Sequence, residues 1–163
     1  MTGRGTSGWR RAACAASVAA AALATTVGPG AGGATAQPTA NAARTLNITE
    51  AVNLRLVRKS GSTLYQRGTA TGTLPGTVTA RFEVSVTRVT GSVTFYPSSG
   101  GSLTVNVSGR PTSAGTVAEF SGTMAVRSGT GRYARAVGSG TFTGSVNRRS
   151  WATTVNARAR LTY

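Results

Sequence analysis

From Arg44 to the end of the chain, apolar side chains recur at every second position, and no segment shows helical spacing. Successive side chains of an extended strand point to opposite faces, so this rhythm gives each strand one oily and one wet side. Eight segments carry it. Leu46, Ile48, Val52, Leu54 and Leu56 share a face, as do Val78, Ala80, Phe82, Val84 and Val86. Leu103, Val105 and Val107 alternate with Thr104, Asn106 and Ser108. The last segment sets Trp151, Val155, Ala157, Ala159, Leu161 and Tyr163 against Thr154, Asn156, Arg158 and Arg160. Most junctions are short and rich in Gly, Pro, Ser or Asn, among them Gly61-Ser62 and Pro75-Gly76. Short turns make sequential strands antiparallel neighbours.

A single flat sheet would leave its oily face bare, and nothing helical is present to cover it. The sheet must stack on a second sheet or close on itself. Glycines favour closure over a sandwich. Gly68, Gly72, Gly122, Gly138, Gly140 and Gly144 all fall on the apolar parity of their strands. A sandwich core would want bulk there, whereas a small barrel needs glycine where strands coil sharply. The missing side chains are also expected to leave room inside. The expected fold is therefore all-β: a closed eight-stranded antiparallel β-barrel with a narrow apolar cavity, over residues 44–163.

The first 36 residues read differently. Arg4, Arg10 and Arg11 precede an Ala-rich apolar run, and Ala34-Thr35-Ala36 is a small-x-small cleavage signal. This is the pattern of a secretory signal peptide, followed by a flexible linker over 37–43. The expected location is extracellular. Losing the three leader arginines lowers the formal net charge from +15 to +12. Such a charge favours anionic surroundings.

The residue inventory removes most catalytic chemistries. There is no His and no Asp, and Cys14, the single cysteine, lies in the leader. A Ser-His-Asp triad, thiolate or imidazole metal sites and Asp-rich calcium loops are therefore excluded, and no metal or cofactor is expected. Glu50, Glu83 and Glu119 are the only carboxylate side chains. Glu83 and Glu119 have outward parity. Glu50 falls on the apolar face between Ile48 and Val52, which makes it the candidate catalytic residue: an inward carboxyl with a raised pKa could polarise a ligand.

The stretch Gly129-Thr130-Gly131-Arg132-Tyr133-Ala134 matches a dinucleotide fingerprint by letters. That fingerprint needs a following helix and an acid about 20 residues on. Glycines at 138, 140 and 144 forbid the helix, and no acid follows. The stretch reads instead as a corner between strands, with Tyr133 folded over the barrel end.

The same stretch, "GTGRYARAVGSG" at Gly129 to Gly140, together with "GTM" at Gly122 to Met124 and "RGTATGTL" at Arg67 to Leu74, resembles the allene oxide cyclase/dirigent superfamily. The resemblance covers about residues 44–163. It implies an eight-stranded barrel with an apolar cavity, often trimeric, so a homotrimer is an expected assembly. The similar secreted actinobacterial proteins are mostly uncharacterised. The chain departs from the dirigent pattern in lacking cavity aspartates, and only Glu50 could stand in for the carboxylate of the plant cyclases. The resemblance thus carries the fold and not the activity.

These readings give a candidate site. Gln66, Phe82, Phe120, Phe142, Trp151 and Tyr163 have inward parity and are expected to line a cavity for a small apolar molecule. Any catalysis there would be cyclase-like or dirigent-like. Arg132, Arg135, Arg148 and Arg149 form a candidate anion-binding set. They support the alternative function, a non-catalytic surface module that binds an anionic cell-wall polymer. No aromatic ladder interleaves with them, so no specific nucleic-acid partner is expected. An outer-membrane barrel would need bulky lipid-facing residues, and aromatics are only 6% of the chain.

Overall fold

A computed structural model describes residues 43–163, and the expected leader and nearly all of the expected linker lie outside the described residues. The eight strands are β1 (Thr45–Ser60), β2 (Thr63–Gly72), β3 (Gly76–Val84), β4 (Val89–Pro97), β5 (Ser102–Pro111), β6 (Val117–Thr130), β7 (Val137–Asn147) and β8 (Thr153–Thr162). Each pairs with the next, and β8 returns to β1, so the sheet is a closed barrel in chain order. Every pairing is antiparallel. The seam between β1 and β8 runs from Thr45 opposite Thr162 to Leu54 opposite Thr153. Arg44 and Tyr163 extend it by exchanging backbone hydrogen bonds of 2.8 and 2.9 Å.

The alternation seen in the sequence sets which face turns in. Val52, Leu54, Val78, Leu103, Val105 and Leu161 are buried in one core. The opposite parity is wet: Arg55, Arg67, Arg81, Arg158 and Arg160 are exposed. An outer wall studded with arginine is the reverse of a lipid-facing barrel.

Glycine does not hollow out the lumen as expected. The space above the inward glycines is taken by neighbouring backbone and by two phenylalanine rings. A Cβ built on Gly122 would stand 2.8 Å from the Phe142 ring, and one on Gly144 would stand 2.7 Å from the Phe120 ring. The two rings meet edge to face with centroids 6.0 Å apart. Among the described residues, the voids deep in the barrel have volumes of about 30 and 40 Å³.

The two ends differ. The β2–β3, β4–β5 and β6–β7 connections close one end. There a 3-10 turn, η1 (Gly131–Tyr133), drops Tyr133 into the barrel, where it is 1% exposed. Its ring lies 5.2 Å from that of Tyr163. Gly131 sits at φ +60, the left-handed conformation that glycine adopts without strain, and so allows this entry. The glycine-rich stretch is thus a plug-bearing corner, and the strand β7 that follows it excludes the nucleotide-binding geometry.

Two bulges break the alternation. One residue is inserted between Leu56 and Arg58 in β1, and another in β6 opposite the Thr104–Val105 step. The first matters for function. Beyond it Arg58 pairs with outward-facing Tyr65, while Lys59 pairs with inward-facing Leu64. A bulge commonly re-aims side chains in this way.

Candidate functional site: the open mouth of the barrel

The end opposite Tyr133 is open. Its rim is formed by the β1–β2, β3–β4, β5–β6 and β7–β8 connections. A cavity of about 520 Å³ lies there, lined by Phe82, Val107, Phe120, Phe142, Trp151 and Thr153 among others. That volume is within the range of small-molecule sites, which are typically apolar with a few polar groups. Val86, on the β3–β4 connection, stands 93% exposed beside it.

Trp151 is the most constrained residue of the mouth. It is the one non-glycine residue with positive φ among those described, at 58°. Such a backbone costs of order 1–3 kcal/mol and persists only where its surroundings fix it. Three strands do so. From β7, Asn147 accepts a 2.6 Å hydrogen bond from the Trp151 N–H. From β2, the Gln66 amide donates to the Trp151 carbonyl at 2.7 Å and to the Thr153 hydroxyl at 3.0 Å. From β1, the Lys59 ammonium lies 4.6 Å from the indole centroid, a cation–π contact. Lys59 reaches the indole because the bulge shifts it inward.

The expected ligand-binding residues therefore divide three ways. Phe82, Phe120, Phe142 and Trp151 come together at the mouth. Gln66 is inward and 3% exposed, but it holds the Trp151 turn from behind and does not line the cavity. Its Oε1 has no hydrogen-bond partner among the described residues. Tyr163 packs on Tyr133 at the closed end, away from the mouth aromatics. Lys59, Val86, Val107 and Thr153 belong to the mouth and were not among the expected ligand-binding residues. Alternation alone put Val86 on the interior face, and nothing in the sequence marks the bulge that brings Lys59 inward.

Glu50 is inward as its parity indicates, and 3% exposed. It stands near the closed end, opposite Gly72 on β2 and Ala157 on β8. One carboxyl oxygen accepts from the Leu74 N–H. The other has no partner among the described residues and faces Gly72, where a Cβ would approach it to 3.1 Å. The void beside it, about 30 Å³, has room for little more than a water molecule. Glu50 is absent from the lining of the mouth cavity, so the structure does not bring it together with Phe82, Phe120, Phe142 and Trp151.

Burial holds the Glu50 carboxyl above its ordinary value of 4.5, against the opposing pull of the Leu74 and Thr73 backbone N–H groups. The folded barrel therefore binds this proton more tightly than the unfolded chain does. The resulting stabilisation is complete below about pH 4.5 and is lost as pH rises through the folded value. Glu50→Gln keeps an acceptor for Leu74 and removes the titration. Urea melts from pH 4 to 8 should show wild type losing stability relative to this variant as pH rises. A pH-independent difference between the two would refute the assignment.

The four candidate anion-binding arginines do not form one site. Arg132 and Arg135 flank Tyr133 at the closed end, whereas Arg148 and Arg149 are in the β7–β8 turn at the open end. All four are exposed. Glu83 and Glu119 are exposed too, in keeping with their outward parity.

No protein-family model matches the chain, and neither a curated protein nor a solved structure matches it.

Proposed function

We propose that this protein is a secreted barrel of the allene oxide cyclase/dirigent type that binds a small apolar molecule in its open mouth. The observation that carries the reading is the aromatic cavity of about 520 Å³ beneath a strained, triply anchored Trp151. Strain at a cavity rim is sustained only where the surrounding structure supplies compensating contacts, and it concentrates at ligand sites. Phe82, Phe120 and Phe142 supply an apolar floor, and the Thr153 hydroxyl, engaged by Gln66 and by the Trp151 carbonyl, holds the turn above it. Binding rather than turnover is the activity this arrangement supports. The buried carboxyl lies toward the other end, and the carboxylate nearest the ligand is exposed Glu119 at the rim.

The test uses the neutral fluorophore N-phenyl-1-naphthylamine, whose uptake reports an apolar site without responding to the protein's charge. The protein should bind about one equivalent. Trp151→Ala should weaken binding about tenfold, the loss expected from removing a large buried aromatic contact. Glu50→Gln should leave it unchanged. An organic extract of the purified protein, read by mass spectrometry, should contain a co-purified apolar compound. Absence of both dye uptake and a bound compound would overturn the proposal.

A further inference from the structure

The outer wall carries a second feature, independent of the mouth. On the exterior of β1, β2 and β3, two cross-strand rows lie side by side. In the first, Arg58 is opposite Tyr65, and Tyr65 is opposite Arg81. In the second, Arg55 is opposite Arg67, and Arg67 is opposite Thr79. Neighbouring strands are about 4.8 Å apart and the two rows about 7 Å apart. Four guanidinium groups are thus anchored within a patch little more than one strand spacing to either side of β2. All four arginines are exposed.

Two properties of the patch are unusual for a surface that meets only water. Arg55 and Arg67 face each other directly in the ladder, an arrangement that repels. Glu83, opposite Thr63, is the carboxylate that shares this outer face of β3, one row beyond Arg81, and among the described residues it forms no ion pair with the cluster. In addition, Arg58 and Arg81 are held over the Tyr65 ring from its two flanking strands, at 4.4 and 5.9 Å from its centroid. Stacking fixes the plane of a guanidinium and leaves its N–H edge free to fork onto an oxyanion. A shallow groove of about 280 Å³ runs between Val57, Tyr65, Arg67, Arg81 and Thr94.

We propose that this face binds a linear phosphodiester polymer of polyol units, which crosses the two rows and sets its phosphates on Arg67 and Arg81 in the groove and on Arg55 and Arg58 beside it on β1. Charge complementarity requires a polyanion. The groove on a convex wall takes a thread and not a flat membrane. Tyr65, the aromatic ring of the patch, is already engaged by two guanidinium groups. A ring held by cations, with no second aromatic beside it in the groove, is not a stacking ladder, which favours a phosphate thread over nucleic acid.

Synthetic poly(glycerol phosphate) of about 20 units is the probe, with binding measured against salt. Four phosphate contacts predict that log K falls against log salt with a slope of about −3. Arg55→Gln/Arg67→Gln should halve that slope and weaken binding about tenfold at low salt. It should also melt higher than wild type without polymer, because the facing repulsion is gone. Arg158→Gln/Arg160→Gln removes the same charge from β8 and should stay within about twofold of wild type, which separates a site from net charge. Equal weakening by both pairs, no binding at about 50 mM salt, or tighter binding of polygalacturonate, oligo(dT) or phosphatidylglycerol vesicles would each overturn the proposal. None of these readouts depends on the mouth cavity.

Discussion

Replacing Tyr133 with alanine is expected to destabilise the barrel by about 3–5 kcal/mol, the range for deleting a fully buried aromatic ring. Tyr133 is among the most buried side chains of the described structure and the only aromatic among the largest fully buried ones. It enters from a connection rather than a strand, so no neighbouring strand residue can move into the space it vacates. For a domain of this size the loss corresponds to a fall in melting temperature of about 10–20 °C. Tyr133→Phe should stay within about 1 kcal/mol of wild type, because the hydroxyl makes only a long contact of 3.4 Å to Ser99. Thermal unfolding followed by near-ultraviolet circular dichroism measures both. Equal melting temperatures for the alanine and phenylalanine variants would mean that the ring does not seal the closed end.

The second large effect is at Gly68. A Cβ there would stand 1.7 Å from the backbone oxygen of Asn53 on β1. The obstacle is the paired strand itself, so relief requires parting the ladder at Leu54 opposite Gly68. Overpacking commonly costs about 1–3 kcal/mol, and a backbone clash this close belongs at or beyond the upper end. Gly68→Ala should therefore lose at least about 3 kcal/mol in urea melts, or fail to fold. Gly61 provides the contrast. It has a positive φ of 57° but nothing within 4 Å of an added Cβ, so Gly61→Ala should cost only about 1 kcal/mol of backbone strain. A Gly68→Ala protein as stable as Gly61→Ala would show that β1 and β2 separate easily at this point.

The barrel was readable from the chain because period-two alternation is a property of each strand alone. Closure followed from the absence of anything else to cover the oily face. The inward turn of Glu50 was readable for the same local reason, and Tyr133 at the barrel end from the glycine-rich corner that carries it. The mouth was harder to read. Gly122 and Gly144 signalled vacant space, but Phe142 and Phe120 fill it from adjacent strands, and that pairing depends on register. Parity placed Tyr163 and Trp151 on one interior face without saying that the two ends differ, one plugged and one open. Lys59 was hidden by the bulge after Leu56, which no residue type there announces. The Arg55–Arg67 confrontation needed the β1–β2 register, which the turn at Gly61 and this bulge set jointly.

The seam between β1 and β8 also governs when the molecule can come into being. Its two halves are separated by nearly the whole length of the domain, so the contact that finishes the cylinder is among the last the chain can make. Pairings so distant in sequence form slowly. Until the final segment from Thr153 onward is available, β1 and β7 each present an unsatisfied edge to any passing strand. Folding must then wait for β8, and a chain cut short before that segment would be exposed to aggregation rather than left as a smaller working barrel.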